Sequence, residues 1–510
     1  MPKSNYEQLY KNSLQENERL KVQLTEMQNN LQAALEGNAE LLRQLVQVQE
    51  KLDVLIAKKK NRDRSQFGSK SEGRNPRPAP SSDRRQRNDE ESPSKAGTLH
   101  DIAADETIPH LVPDNERICP NCDVQTEFVS NTITRELESV LRSLKCIEHQ
   151  QETRSCPKCK QYIRTAPKPE LPIPGSYAGP ALLATVICDK VEYGLPNFRQ
   201  AKKFARETIP IPRSTQCDWF IAMSLAVEPL YELIKREILK SAVVQTDETS
   251  LRVQDRTHKK NMQKSKMIVC RGDALHKFVC FLYSKALSFE MNKEFFKGFP
   301  GIIQADAIFG FDALFRKDED GIGATEAGCN AHGRRKIYDA LVMELTIAEK
   351  MLDIYDRIYK IEKRARKLSP AARLALRRRY SKPLMRELHS LHLKNKTSFS
   401  PTHLLAEAAS YSLKNWRALT LFLKNPDVEI DNNATEREIK TFVLSRKNFL
   451  FAGSEAGAKA LAIHFTLIAS ARRNGLNPVE YLADVFARIN QTKVSELEKF
   501  LPDRWKKASS

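Results

Sequence analysis

The chain has no apolar run near the ~20 residues needed to cross a membrane. Met1-Pro-Lys-Ser opens it without the apolar segment of a secretory signal. Both absences lead to the expectation of an intracellular, cytoplasmic protein. Acid is the scarcer charge: 64 Asp and Glu stand against 83 Lys and Arg, a formal net charge of +19. That deficit points to an anionic partner, nucleic acid first. A basic surface also serves solubility, but here the charge is clustered. No thioredoxin-like pattern surrounds the two Cys-x2-Cys pairs. Ten cysteines in a reducing compartment therefore read as metal ligands and buried thiols ahead of disulfides. At 510 residues the chain exceeds a single core and reads as multi-domain α/β.

Leu20, Leu24, Met27, Leu31, Ala34, Asn38, Leu41, Leu45, Val48, Leu52 and Leu55 keep an unbroken 4-3 spacing. This is a heptad seam with Leu24, Leu31, Asn38, Leu45 and Leu52 at a, and it predicts a coiled coil over 1–57 that makes a homo-oligomer. A helix packed on the chain's own body is the alternative. From Lys58 the period stops and Lys and Arg mix with Pro, Ser and Gly, which predicts a disordered basic linker over 58–100.

Cys119-Pro-Asn-Cys122 and Cys156-Pro-Lys-Cys159 are two knuckles that can close one tetrahedral, structural Zn²⁺ site, giving a zinc-finger domain over 101–165. Residues 166–240 read as a helical DNA-binding region. In it, Pro196–Arg206 and a helix beginning near Arg213 flank the turn Thr208–Pro212, as in a helix-turn-helix. Arg213 and Gln216 are residue types that read base edges, and Ser214 and Thr215 suit a helix start. A helix pair serving only packing has equal weight.

The stretch Ser241–Val253 reads as an apolar strand delivering Asp247. Met267–Cys270 and Lys277–Tyr283 add two strands, Ser288–Lys297 a helix, and Gly301–Ala305 a fourth strand ending at Asp306. The order βββαβ sets the first and fourth strands side by side, with Asp247 and Asp306 as neighbours: a ribonuclease-H-like mixed sheet. Its first part spans 241–336 and its last 426–475. A helical insertion over 337–425, including the basic run Arg377-Arg-Arg379, interrupts it, and a C-terminal helical segment fills 476–510. Asp431-Asn432-Asn433 opens a helix that carries Glu436 one turn in. Asn433-x-x-Glu436 reads equally as a capping box. Asp247, Asp306 and Glu436 together suit divalent metal, Mg²⁺ or Mn²⁺.

Several longer motifs sharpen this reading. Phe67-Gly-Ser-Lys-Ser-Glu72, the paired knuckles, Thr246-Asp-Glu-Thr249, Gln304-Ala-Asp306 and Cys329-Asn-Ala-His-Gly-Arg-Arg-Lys336 occur in order. Asp431-Asn-Asn-Ala-Thr-Glu-Arg437, Arg446-Lys-Asn-Phe-Leu-Phe451 and Asn477-Pro-Val-Glu-Tyr-Leu482 follow. In these the chain resembles the transposases of the IS66 family. The resemblance implies a DDE triad at Asp247, Asp306 and Glu436, a zinc-finger segment at the four cysteines and a leucine-zipper-like start. It departs at Ala307, where the family usually has Gly, and at Asn330 and Gly333. It implies an enzyme that binds an element's terminal repeats, then cuts and joins DNA with Mg²⁺, together with target DNA and helper proteins of the same element as partners. Arg334, Arg335, Lys336, Arg437 and Lys440 are placed to contact DNA phosphate, with Asn432 and Asn433 in support. Cys329 and His332 either hold a second metal or brace their helix. The competing readings are a non-catalytic, zinc-containing DNA-binding accessory protein descended from a transposase, and a metal nuclease that cuts without joining.

Overall fold

β-branched Val243 and Val244 enter the central strand of the fold, and beyond them the pattern Leu251 buried, Arg252 exposed, Val253 buried, Gln254 exposed has the period of two that a pleated strand requires. The computed structural model describes residues 3–67, 147, 153–155, 163–165, 170–206, 210–257, 261–285, 288–306, 314–315 and 323–507. Cys119, Cys122, Cys156, Cys159, Ala307 and nearly all of the expected linker and zinc domain lie outside the described residues.

The first element is one helix, α1 (Lys3–Phe67). Two short strands, β1 (Thr153–Ser155) and β2 (Ile163–Thr165), pair antiparallel. Four helices follow: α2 (Pro180–Val191), α3 (Asn197–Arg206), α4 (Arg213–Ala226) and α5 (Glu228–Ile238). Then come β3 (Val243–Gln254), β4 (Met262–Arg271), β5 (Val279–Ser284), α6 (Ser288–Phe295), β6 (Ile302–Ala305), β7 (Thr325–Gly328) and α7 (Asn330–Asp339). The insertion supplies α8 (Leu345–Ala365), α9 (Pro370–Leu376), α10 (Lys382–Ser398), α11 (Leu404–Lys414) and α12 (Trp416–Leu419). The chain returns through α13 (Asn433–Phe449), α14 (Glu455–Arg473) and α15 (Pro478–Arg488).

The sheet order is β5-β4-β3-β6-β7. β3 runs antiparallel to β4 and parallel to β6, so the first and fourth strands are neighbours, as the element order predicts. β5 is an edge strand, and its outward amides would be left unpaired. α14 covers it: Val279 N–H donates to Ser470 Oγ at 3.0 Å and Phe281 N–H to Thr466 Oγ1 at 2.8 Å. Hydroxyls on a helix thus finish a ladder that no further strand completes. Phe465 on α14 packs against Phe281 and Phe442, with ring centroids 5.3 and 5.1 Å away, and joins α13 to that face.

Several boundaries differ from expectation. α1 continues past 57 to Phe67. Lys and Arg are good helix formers, and its end is anchored: Lys58 pairs with Glu407 at 2.8 Å and Asn61 Nδ2 donates to the Asp339 carbonyl at 2.9 Å. Val54 and Ala57, on the side of α1 away from the heptad seam, are buried, while Leu24, Leu31, Leu45 and Leu52 are exposed. The helix that begins at Arg213 stops at Val227, because Pro229 at the start of α5 has no N–H to continue it. Pro212, not Ser214 or Thr215, caps α4.

Five described cysteines, Cys188, Cys217, Cys270, Cys280 and Cys329, are free thiols. No helix among the described residues is long and apolar enough to cross a membrane.

Candidate functional site

In the parallel pair, Gln245 and Gln304 are direct partners. Two residues further along each strand stand Asp247 and Asp306, so strand register alone sets the two acids abreast. Asp247 is partly buried, and its Oδ1 accepts the Glu248 amide at 2.7 Å. Glu248 itself is engaged by Lys266 at 2.5 Å, which removes it from the group.

The third acid arrives on α13. That helix starts where it does because its first turn is fastened to β3: Asn432 Nδ2 donates to the Thr246 carbonyl at 2.9 Å and Thr435 Oγ1 to Gln245 Oε1 at 3.1 Å. Asp431 caps the turn by accepting the Asn433 amide at 3.1 Å and the Asn433 side chain at 2.9 Å. The capping box is not formed. Asn432 is the N-cap, which puts Glu436 one position too far along to close one. Glu436 faces the other acids instead.

His332, one turn into α7, brings the group together. Its Nε2 lies 3.3 Å from Asp306 Oδ2 and 4.0 Å from Glu436 Oε1. Asp247 feels the same neighbours. Burial first, and the Glu436 and Asp306 carboxylates in addition, push its carboxyl up to about 6, although the Glu248 amide and His332 oppose the rise. The result is a knot of carboxylates with uncompensated negative charge beside one imidazole. Carboxylate oxygens with one ring nitrogen suit a hard divalent cation such as Mg²⁺ or Mn²⁺. The raised Asp247 is what such a cation would offset.

Cys329 lies beside this group. Among the described residues its Sγ lies within 4.8 Å of the ligand atoms of His332 and Glu436. Yet it is fully buried, it accepts the Asn432 amide at 3.3 Å, and burial pushes its thiol up to about 12. A thiol so held braces the starts of α7 and α13 against each other. Asn330 does likewise, donating to the carbonyls of Leu419 at 2.9 Å and Ile430 at 3.1 Å.

Of the residues expected to meet DNA, Arg213, Arg335, Lys336, Arg437 and Lys440 are exposed. Arg334 is turned to Asp356 at 3.3 Å. Gln216 must be corrected: it is fully buried and its amide donates to the Ile211 carbonyl at 3.0 Å, so it packs the helix pair and cannot reach a base edge. Arg377, in the basic run of the insertion, is not at the surface either. It is buried in an ion pair with Glu362 at 2.7 Å and donates to the Phe422 carbonyl at 2.8 Å, leaving only Arg378 and Arg379 of that run exposed.

Sequence reading missed three residues here. Gln245 and Gln304 join side chain to side chain at 3.0 Å. Gln304 also donates to the carbonyls of Glu429 at 2.7 Å and Gly328 at 3.2 Å. The position of Gln304, two before an acid on a strand otherwise apolar, was a usable signal. Tyr411 on α11, whose hydroxyl donates to Asp306 Oδ1 at 2.9 Å, gave none, since 105 residues separate the pair.

Comparison with known proteins identifies the family of the chain. The family described as "Transposase IS66 family" matches residues 175–460, and its "IS66 C-terminal element" matches 466–502. Among curated relatives, "Uncharacterized protein y4hP" of Sinorhizobium fredii (strain NBRC 101917 / NGR234) is 31% identical over 395 residues, covering 74% of this chain and 71% of its own. "Uncharacterized protein y4jD" of the same strain is 30% identical over 408 residues, 78% of this chain and 80% of its own. The first match spans the sheet, the insertion and the start of α14, and more than half of the whole. The chain belongs to the IS66 family of transposases.

Proposed function

We propose that this transposase cuts and joins DNA itself, with Asp247 within β3, Asp306 just past the end of β6 and Glu436 in the first turn of α13 holding divalent metal. The observation that carries the reading is the convergence on His332 of two acids 130 residues apart, Asp306 and Glu436, with Asp247 close enough for both to raise its pKa. The strand order, with its first and fourth strands adjacent, supports a ribonuclease-H-like core interrupted by the 337–425 insertion.

Mg²⁺ or Mn²⁺, when bound, would supply Lewis acidity for an in-line displacement at phosphorus. The chain's own residues do the rest. Asp247 and Asp306 are fixed by strand register, so their carboxylates would hold the cation in a set geometry and little is lost to reorganisation. Glu436 completes the group from the helix side. Arg437 and Lys440, exposed on the same helix, contact backbone phosphate without reading sequence, and Arg335 and Lys336 on α7 extend that surface. Water cleaves at the element's end first; the freed 3′-hydroxyl then attacks target DNA.

Two further parts complete the reading. The exposed heptad seam of α1 pairs with a second copy, while the opposite side of its last turns docks on the insertion. Cys119, Cys122, Cys156 and Cys159 hold structural Zn²⁺; the hairpin strands β1 and β2 flank the loop with the second knuckle. A supercoiled plasmid carrying the element's ends, incubated with the protein and Mg²⁺, tests the reading. Joined products support it. Nicking alone leaves a nuclease, and binding alone an accessory protein.

A further inference from the structure

The insertion between the second and third acids does more than fill space. We propose that Tyr411, on α11 of that insertion, is a positioning residue that sets Asp306 for divalent metal and so makes the helical insertion part of the active site. This rests on the metal-binding reading of the three acids.

The two oxygens of Asp306 are divided between two helices. Oδ1 accepts the Tyr411 hydroxyl at 2.9 Å, and Oδ2 is the oxygen 3.3 Å from His332 Nε2, toward Glu436. A donor on one oxygen fixes the plane of the carboxylate and leaves the other aimed at the group where charge accumulates. Ligating carboxylates are commonly held by such outer donors, whose loss costs about 10–100-fold in metal affinity or activity.

The approach of α11 to α7 is built for this contact. Gly333, next to His332, faces it. A Cβ there would sit 3.2 Å from Tyr355 Oη, 3.6 Å from Ser412 Oγ and 4.0 Å from the Tyr411 ring. Tyr355 Oη on α8 would have to give by a few tenths of an ångström, while the two α11 atoms stand at ordinary contact distance, so Gly333 marks where α11 lies close on α7. On the far side Lys336 Nζ lies 5.0 Å from the Tyr411 ring centroid and helps to hold the ring. The end of α1 ties both helices: Lys58 pairs with Glu407 on α11, and Asn61 donates to the carbonyl of Asp339, which ends α7.

The test is Mn²⁺ titration of the full chain followed by electron paramagnetic resonance, with folding checked by circular dichroism. Tyr411→Phe keeps the ring and removes only the hydroxyl. It is expected to weaken Mn²⁺ binding about 10–100-fold, and raising Mn²⁺ should restore strand joining, which no concentration restores in Asp306→Asn. Mn²⁺ binding by Tyr411→Phe within about twofold of wild type, well inside that range, overturns the proposal. Should Tyr411→Phe fail to fold, Tyr411→Leu decides. It too removes the hydroxyl, so weaker Mn²⁺ binding supports the proposal and unchanged binding overturns it. A wild-type chain that binds no Mn²⁺, or an Asp306→Asn chain that binds it as well as wild type, overturns the metal reading itself and this inference with it.

Discussion

The side-chain amide of Gln245 donates to that of Gln304 at 3.0 Å, in the two strand positions that lead to Asp247 and Asp306. Both glutamines are buried. Through them the parallel strands, the 429–431 segment and the first turn of α13 share one hydrogen-bond network. Neither glutamine needs to touch DNA for the acids to depend on it. Gln304→Leu leaves the Glu429 and Gly328 carbonyls and the Gln245 amide without their partner. The expected cost is about 2–3 kcal/mol of stability or more, read as a lower urea midpoint at unchanged slope.

Asp247 gives a pH signature. Folded, it keeps its proton up to about 6; unfolded, it releases it near ~3.9. Between those values the folded state binds more protons, so stability falls as pH rises through the window, and the full cost remains above it. Asp247→Asn should therefore melt higher than wild type in metal-free buffer at neutral pH, by an offset of roughly 2–3 kcal/mol at most. The gap should close near the lower end of the window. A melting-temperature series across pH checks both the sign and the closure.

Arg437→Ala with Lys440→Ala separates phosphate contact from chemistry. Each lost contact should reduce the dependence of log affinity on log salt by about 0.9. Mn²⁺ affinity should stay as in wild type. Fluorescence anisotropy with duplex DNA at several salt concentrations measures the slope.

The seam of α1 makes an independent prediction. Leu31 and Leu45 are exposed at a positions and face away from the buried Val54 and Ala57. Leu31→Glu with Leu45→Glu should convert an oligomer to monomer in sedimentation analysis, without lowering the melting temperature of the sheet core.

Much of the site was legible because it obeys local rules. Asp247 and Asp306 follow apolar, β-branched runs, and the order of their strands fixes their adjacency, although β3 continues past Asp247 to Gln254. The element boundaries within the insertion and the burial of Gln216 and Arg377 were not legible, because both side chains are of types found equally on surfaces. Gln216 is satisfied by the Ile211 carbonyl, and Arg377 by Glu362 and a ring of carbonyls, which only the tertiary fold supplies. His332 could be singled out by its spacing from Cys329, but not its task. Tyr411 could not be found at all, since a contact across 105 residues leaves no periodicity to read. The apparent capping box failed for a subtler reason. Asn432 is drawn to the Thr246 carbonyl and starts the helix one residue early.

One assay bears most directly on the whole account. A supercoiled plasmid carrying the element's ends is incubated with Mg²⁺ and either wild-type protein or Asp306→Asn, with DNA binding measured alongside. Joined products from the wild type, and none from an Asp306→Asn chain that binds the ends as tightly, are the predicted result; joining by Asp306→Asn at the wild-type rate would contradict it.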